Sequence, residues 1–194
     1  MNHISSDTAV LISDFRFCCL VLPPFQSSRL AAKRSARKEI IAVSLPERST
    51  TTTIRFGLWI INLSATPYRF HNYNLMPTIQ NRHGQLLDRG YGRNATKPVT
   101  ESNYFVAEPQ SSLTFWCNSS LGWCGDKFCL WGYESSGGVW YFHDLDIGTY
   151  RACFTYENPS STGKVQGRMG KLRDMYDDLW VGKVTTPSIE FKII

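Results

Sequence analysis

The 194-residue chain has no apolar run long enough to span a bilayer. Its best candidate, AVLISDFRFCCLVLPPF at residues 9–25, is interrupted by Asp14 and Arg16 and closed by two prolines. A secretory leader places positive charge ahead of a clean apolar run and small residues after it. Here the charges sit inside the run, so neither a leader nor a membrane span is expected, and the compartment expected is the cytoplasm. Charge is also scarce, at 19% of residues with a formal net of +5. The basic clustering of a nucleic-acid binder is missing, so no nucleic acid and no membrane are expected as partners. Catalytic signatures are absent too. There is no G-x-S-x-G and no C-x-x-C, and Gly163-Lys164 lacks the upstream glycine and following hydroxyl of a phosphate loop.

What the chain has in plenty is aromatic side chains: 11 Phe, 9 Tyr and 6 Trp, mostly beyond residue 54. Residues 1–52 differ from the rest. They are basic, with seven Lys/Arg against four Asp/Glu in residues 1–50, and SSRLAAKRSARKE at 27–39 carries no long apolar stripe. This segment reads as a disordered or weakly helical extension, with ERSTTTT at 47–53 as a linker. An organellar transit peptide, rich in Arg and Ser, is a weaker alternative because of its acidic residues.

Residues 53–194 read as one domain of short strands. IRFGLWIINLS at 54–64 is bulky on both faces, as in a well-covered strand. Extended segments follow at 68–77 and 102–109, then at 111–117, 126–133 and 137–145, each bounded by Gly, Pro, Asn or Ser. Arg82-His83-Gly84 makes a hairpin turn with glycine at positive φ. Residues 89–102 and 158–171 read as loops. Leu172, Met175, Tyr176 and Leu179 recur at helical spacing, so a short helical insertion is expected before the last strand, 185–194.

In HDLDIGTYRACFTYEN, residues 143–158, Tyr150, Ala152, Phe154 and Tyr156 share one face and Arg151, Cys153, Thr155 and Glu157 the other. The D-x-G-x-Y element at Asp146, Gly148 and Tyr150 resembles the corner of immunoglobulin-like sandwiches, in which the tyrosine hydroxyl bonds back upstream. Gly148 is expected to relieve strain there, and Cys153 stands at the wrong spacing for the inter-sheet disulfide of antibody domains. Together with Asn62-x-Ser64-x-x-Pro67, Met76-Pro77 and Gly138-Val139-Trp140-Tyr141-Phe142, the pattern is similar to that of a group of small uncharacterised cyanobacterial β-sandwich proteins. The resemblance implies an all-β, antiparallel two-sheet sandwich, immunoglobulin-like or fibronectin-III-like, and no activity.

Several constellations are weighed for chemistry. His143, Asp144 and Asp146 read as a solvated corner, a metal or hydrolytic centre being the weaker reading. The six cysteines read first as inert buried thiols. A disulfide joining Cys124 to Cys129 or Cys117 comes second. A zinc site with His143 comes last, because the spacings fit no compact signature. Lys164, Arg168, Lys171 and Arg173 alternate with Asp174, Asp177 and Asp178 as a mixed-charge loop. The sequons at Asn62, Asn94 and Asn118 matter only in a secreted chain. The expected function is therefore non-catalytic: a protein-interaction or structural module with no cofactor, metal or catalytic residue and a protein partner, with an edge strand as the expected contact. The alternative is a carbohydrate-binding module using Trp123, Trp131, Tyr133 and Tyr141, with Trp123 expected to be the most exposed because Gly122 and Gly125 flank it in an expected loop.

Overall fold

The computed structural model describes residues 9–12, 14–22, 40–94, 96–166 and 171–194. Their strands, in chain order, are β1 (Ala9–Ile12), β2 (Phe15–Leu22), β3 (Ile41–Val43), β4 (Thr51–Asn62), β5 (Tyr68–His71), β6 (Pro77–Asn81), β7 (Gly90–Gly92) and β8 (Tyr104–Ala107). Then come β9 (Ser112–Cys124), β10 (Lys127–Tyr133), β11 (Val139–Leu145), β12 (Gly148–Asn158), β13 (Gly163–Gln166), β14 (Leu172–Tyr176), β15 (Gly182–Thr185) and β16 (Ile189–Ile193). The protein is all-β, and its sheets are largely antiparallel. Among the described residues, no helix is long and apolar enough to cross a membrane.

A seven-stranded sheet runs β1-β2-β4-β9-β10-β11-β7, antiparallel throughout. In a second sheet β12 is flanked by β6 on one side and by β16 and β15 on the other, and β3 joins β16 in parallel. Two small pairs, β13-β14 and β5-β8, complete the set. Alternation sends Phe56, Leu58 and Ile60 of β4, Leu130 of β10, and Trp140 and Phe142 of β11 to one side of the larger sheet. They share one hydrophobic cluster with Tyr150, Phe154 and Tyr156 of β12 and Phe191 of β16. Rings meet across the layer, Phe56 with Phe191 at 5.6 Å and Phe17 with Tyr156 at 6.4 Å between centroids.

Two motifs acquire their physical reason. The Tyr150 hydroxyl donates to the Asp146 carbonyl at 2.8 Å and accepts from the Asp146 amide at 3.0 Å, as expected for the corner. Gly148 is not needed for relief, since it is not in the left-handed region and a Cβ there would meet open space. Asn62, fully buried, donates to the carbonyls of Thr66 at 2.8 Å and Ala107 at 2.9 Å, and accepts from the Ser64 amide at 2.9 Å. Its side chain therefore builds the turn that ends at Pro67. Gly84 sits at φ 78, as the hairpin requires.

Three expectations are corrected. Part of the segment taken as an extension is sheet: β1, β2 and β3 lie within residues 1–52, and residues 1–8 and 23–39 of it lie outside the described residues. In β2, Phe15, Phe17, Cys19 and Val21 face the core, while Arg16 falls on the other side, so a charge that interrupts an apolar run is compatible with a strand. No helix forms at Leu172. Residues 172–176 are β14, paired with β13, because four apolar positions are too few to nucleate a helix and a partner strand is at hand. Finally, residues 90–92 and 163–166, read as loop, are β7 and β13.

Candidate functional site

β9, β10 and β11 position the candidate surface. Their outward face is set by register: Trp116 stands opposite Gly57, and Trp131 opposite Ser120 on β9 and Tyr141 on β11. Each ring lies over a glycine of a neighbouring strand. A Cβ on Gly57 would come within 2.7 Å of Trp116 and one on Gly122 within 2.8 Å of Trp131, while one on Gly90 would overlap Tyr141. The glycines supply room for close approach. The rings are thereby laid on the sheet rather than stood away from it, and Trp131 and Tyr141 are partly exposed. Tyr133, two positions along β10 from Trp131, is 66% exposed. Three of the four aromatic residues predicted as ligand contacts thus share one face.

Trp123 does not join them. It follows Leu121 on the core-facing row, its indole N–H donates to the Pro46 carbonyl at 3.0 Å, and the Arg48 guanidinium and the Phe128 ring lie 5.0 and 4.1 Å from its ring. The flanking glycines suggested a loop, but Gly122 is inside β9 and only Gly125, at φ 71, makes the turn.

Beyond Gly132, β10 leaves β9. Residues 119–124 of β9 pair with β10, whereas β4 pairs with β9 from Ser112 to Gly122. A hollow of about 300 Å³ opens there, lined by Trp116, Asn118, Tyr133, Ser135 and Asn72, with Glu134 at its base. The Arg55 guanidinium lies 5.1 Å from the Trp116 ring. The buried Glu134 carboxylate accepts from the amides of Ser136 and Gly138, both at 2.8 Å, from the Tyr91 hydroxyl at 3.1 Å and from Arg93 at 2.9 Å. Burial opposes its charge, but the bonds from Ser136, Gly138 and Tyr91 prevail and draw its pKa down to about 2. Glu134 is thus a fixed anion that holds the 134–138 turn.

On the far side of residues 71–75 lies a second hollow of about 710 Å³, bounded by His71, Tyr73, Tyr156, Asn158 and Lys164. His71 stacks on Tyr73 with centroids 3.8 Å apart, and burial holds its pKa down to about 4, so the ring is neutral at physiological pH. Neither hollow was legible in the sequence, since each is assembled from segments far apart in the chain.

The remaining candidates separate. Asp146 pairs with Lys127 at 2.6 Å, and Asp144 takes φ 57, leaving His143 to face Cys129 at 3.0 Å between Nδ1 and Sγ. Cys117 points inward, donates to the Leu75 carbonyl and is pushed up to about 12 by burial. Cys18, Cys19 and Cys153 are likewise buried and free, as expected. Cys124 and Cys129, also read first as inert thiols, are instead joined as a disulfide. They are diagonal neighbours across the β9–β10 hairpin, a proximity that spacing alone does not reveal. In the mixed-charge segment, Lys164 pairs with Asp174 and Arg173 with Glu101, while Arg168 lies outside the described residues.

Comparison with protein-family models, curated proteins and solved structures finds no match for this chain. The functional reading therefore rests on the geometry above.

Proposed function

We propose that the protein is a non-catalytic binding module, built as an immunoglobulin-like or fibronectin-III-like β-sandwich, whose outward aromatic face takes a sugar chain. The fold reading is supported by the Tyr150 corner and by the single core shared by the two largest sheets. The ligand reading is carried by one observation: Trp131 and Tyr141 lie side by side over glycines, with Tyr133 beyond them at a hollow rimmed by Asn72, Asn118 and Ser135. Flat rings cover the apolar face of a pyranose, and amides and hydroxyls pair with its hydroxyls. The Glu134 carboxylate beside the hollow is engaged by its own turn and by Tyr91 and Arg93, which suits binding rather than proton transfer.

The test is a glycan array with the full chain, followed by calorimetry on the best ligand. Trp131→Ala and Tyr141→Ala should each weaken binding by about tenfold or more, by analogy with stacked rings worth 1–3 kcal/mol. Retention of no glycan at millimolar concentration, or unchanged affinity in both variants, refutes the reading.

A second reading, the protein contact expected first from the sequence, is favoured by residues 112–118 of β9, which pair with β4 but not with β10. An extended peptide could add to that side. Hydrogen exchange would then show new protection at 112–118 on binding, with no loss of affinity in Trp131→Ala.

A further inference from the structure

We propose that Cys124, Cys129 and His143 form a redox-gated site for a thiophilic d10 cation of the zinc class. In this site the disulfide is the closed form and the dithiol the binding form.

The three donor atoms lie within 4.8 Å of one another, and Cys129 Sγ is 3.0 Å from His143 Nδ1. A tetrahedral zinc with its usual bond lengths needs donors about 3.4–3.8 Å apart, so modest side-chain rotations suffice. The ligands come from three adjacent strands rather than from loops: Cys124 ends β9, Cys129 lies in β10 and His143 in β11. Backbone register therefore holds them. The register itself has been altered at this point. Phe128 faces Leu145 while Leu130 faces Phe142, so Cys129 stands opposite both His143 and Asp144, and Asp144 absorbs the extra residue at φ 57. Such a bulge re-aims a side chain, here the imidazole toward the sulfur. Cys124 and His143 are exposed and Cys129 is buried, so solvent reaches the site from one side.

The chemistry balances without groups beyond a reductant and the ion. A dithiol passes two electrons and two protons to the disulfide, becomes a cyclic disulfide itself and leaves two thiols. The cation then takes an electron pair from each sulfur as two protons leave to solvent, and a third pair from neutral imidazole Nδ1. Two thiolates cancel the charge of a divalent ion, and the fourth position is left for water or a donor from a ligand. A reducing compartment, such as the cytoplasm expected from the sequence, favours the binding form. The site does not depend on the sugar reading, although His143 lies 4.7 Å from the Tyr141 ring.

The experiment uses the full chain, reduced by a phosphine that does not chelate, desalted without oxygen and titrated with Zn²⁺ against a chromophoric chelator. The reduced protein should bind one equivalent. The oxidised protein and Cys124→Ser should bind at least about a hundredfold more weakly, and His143→Ala at least about tenfold. Co²⁺ in place of Zn²⁺ should give a thiolate charge-transfer band in the reduced protein that is lost in Cys124→Ser. Both substitutions are at exposed strand positions, and His143→Gln gives a second, more conservative reading of the imidazole. Less than one equivalent bound on reduction, equal affinity after oxidation, or affinity unaltered in both His143 variants overturns the proposal.

Discussion

β9, β10 and β11 carry aromatic rings on both of their faces, and the two faces differ in how the rings are held. Inward, Phe115, Phe128, Trp140 and Phe142 are closed off, with Trp140 and Phe142 meeting at 6.0 Å and 64°. Outward, Trp116, Trp131 and Tyr141 rest on glycines of neighbouring strands, and Trp131 and Tyr141 keep part of their surface in solvent. Composition cannot tell the two rows apart. A glycine beneath the ring does not separate the rows either, since the inward Trp140 lies over Gly132; what differs is that a core ring is closed off by neighbours on every side, whereas Trp131 and Tyr141 keep part of their surface in solvent. Replacing residues on each face should therefore separate stability from binding.

The largest effect belongs to the inward face. Trp140 is completely buried, and Trp140→Ala should cost about 3–5 kcal/mol in chemical denaturation, enough to unfold much of the protein. If Trp140→Ala proves no worse than Trp131→Ala, the two faces are not distinct.

Acid should act next, and from the buried side. The pKa of His71 is lowered from 6.5 to about 4, so the folded protein binds fewer protons there than the unfolded chain. Its contribution is complete above pH 6.5 and is lost as pH falls from 6.5 toward 4. The loss is on the order of 2–3 kcal/mol. Glu134 adds a lower window: its pKa, drawn from 4.5 to about 2, makes its stabilisation present above pH 4.5 and lost as pH falls toward 2. Denaturation curves between pH 7 and pH 4 should be flatter for His71→Gln than for the parent; parallel curves would remove His71 from the account.

The glycines come third. Gly122→Ala puts a Cβ against Trp131 and 3.2 Å from the Thr51 methyl, so the ring must lift. A cost of about 1–3 kcal/mol is expected, together with a red-shifted tryptophan emission as the indole meets water. An unshifted spectrum would show that the ring does not rest there.

What was readable in advance follows the same division between local and assembled structure. The Tyr150 corner and the Asn62 turn were legible because each is made by residues within a few positions of one another. Trp131, Tyr133 and Tyr141 stood out by their closeness in sequence, but the pairing of Trp131 with Tyr141 on one face depends on the strand register, which only the structure shows. The place of Trp123 is not legible because Gly122 and Gly125 look alike in sequence, although one underlies a ring and the other makes a turn. β2 is hidden in the sequence because Arg16 disqualifies the apolar run as a membrane span, while a sheet with one outward side accommodates the charge. The Cys124–Cys129 disulfide stood among the sequence alternatives, but the approach of His143 to it depends on a bulge that leaves no spacing signature.

The smallest effect on stability should fall where the effect on binding is largest. Trp131 is only partly buried, and its removal uncovers Gly122 without opening a cavity in the core. Trp131→Ala should therefore cost less than about 1 kcal/mol of stability, in the range of surface substitutions. The same change should remove glycan affinity, because a flat ring on the sheet has no partner within the fold that needs its outer side. A core tryptophan behaves in the opposite way, losing stability first and binding only as a consequence. Measuring both quantities on one protein preparation decides between the roles. Loss of several kcal/mol in Trp131→Ala would make the outward ring a structural cover, and the proposed sugar face would then have no basis.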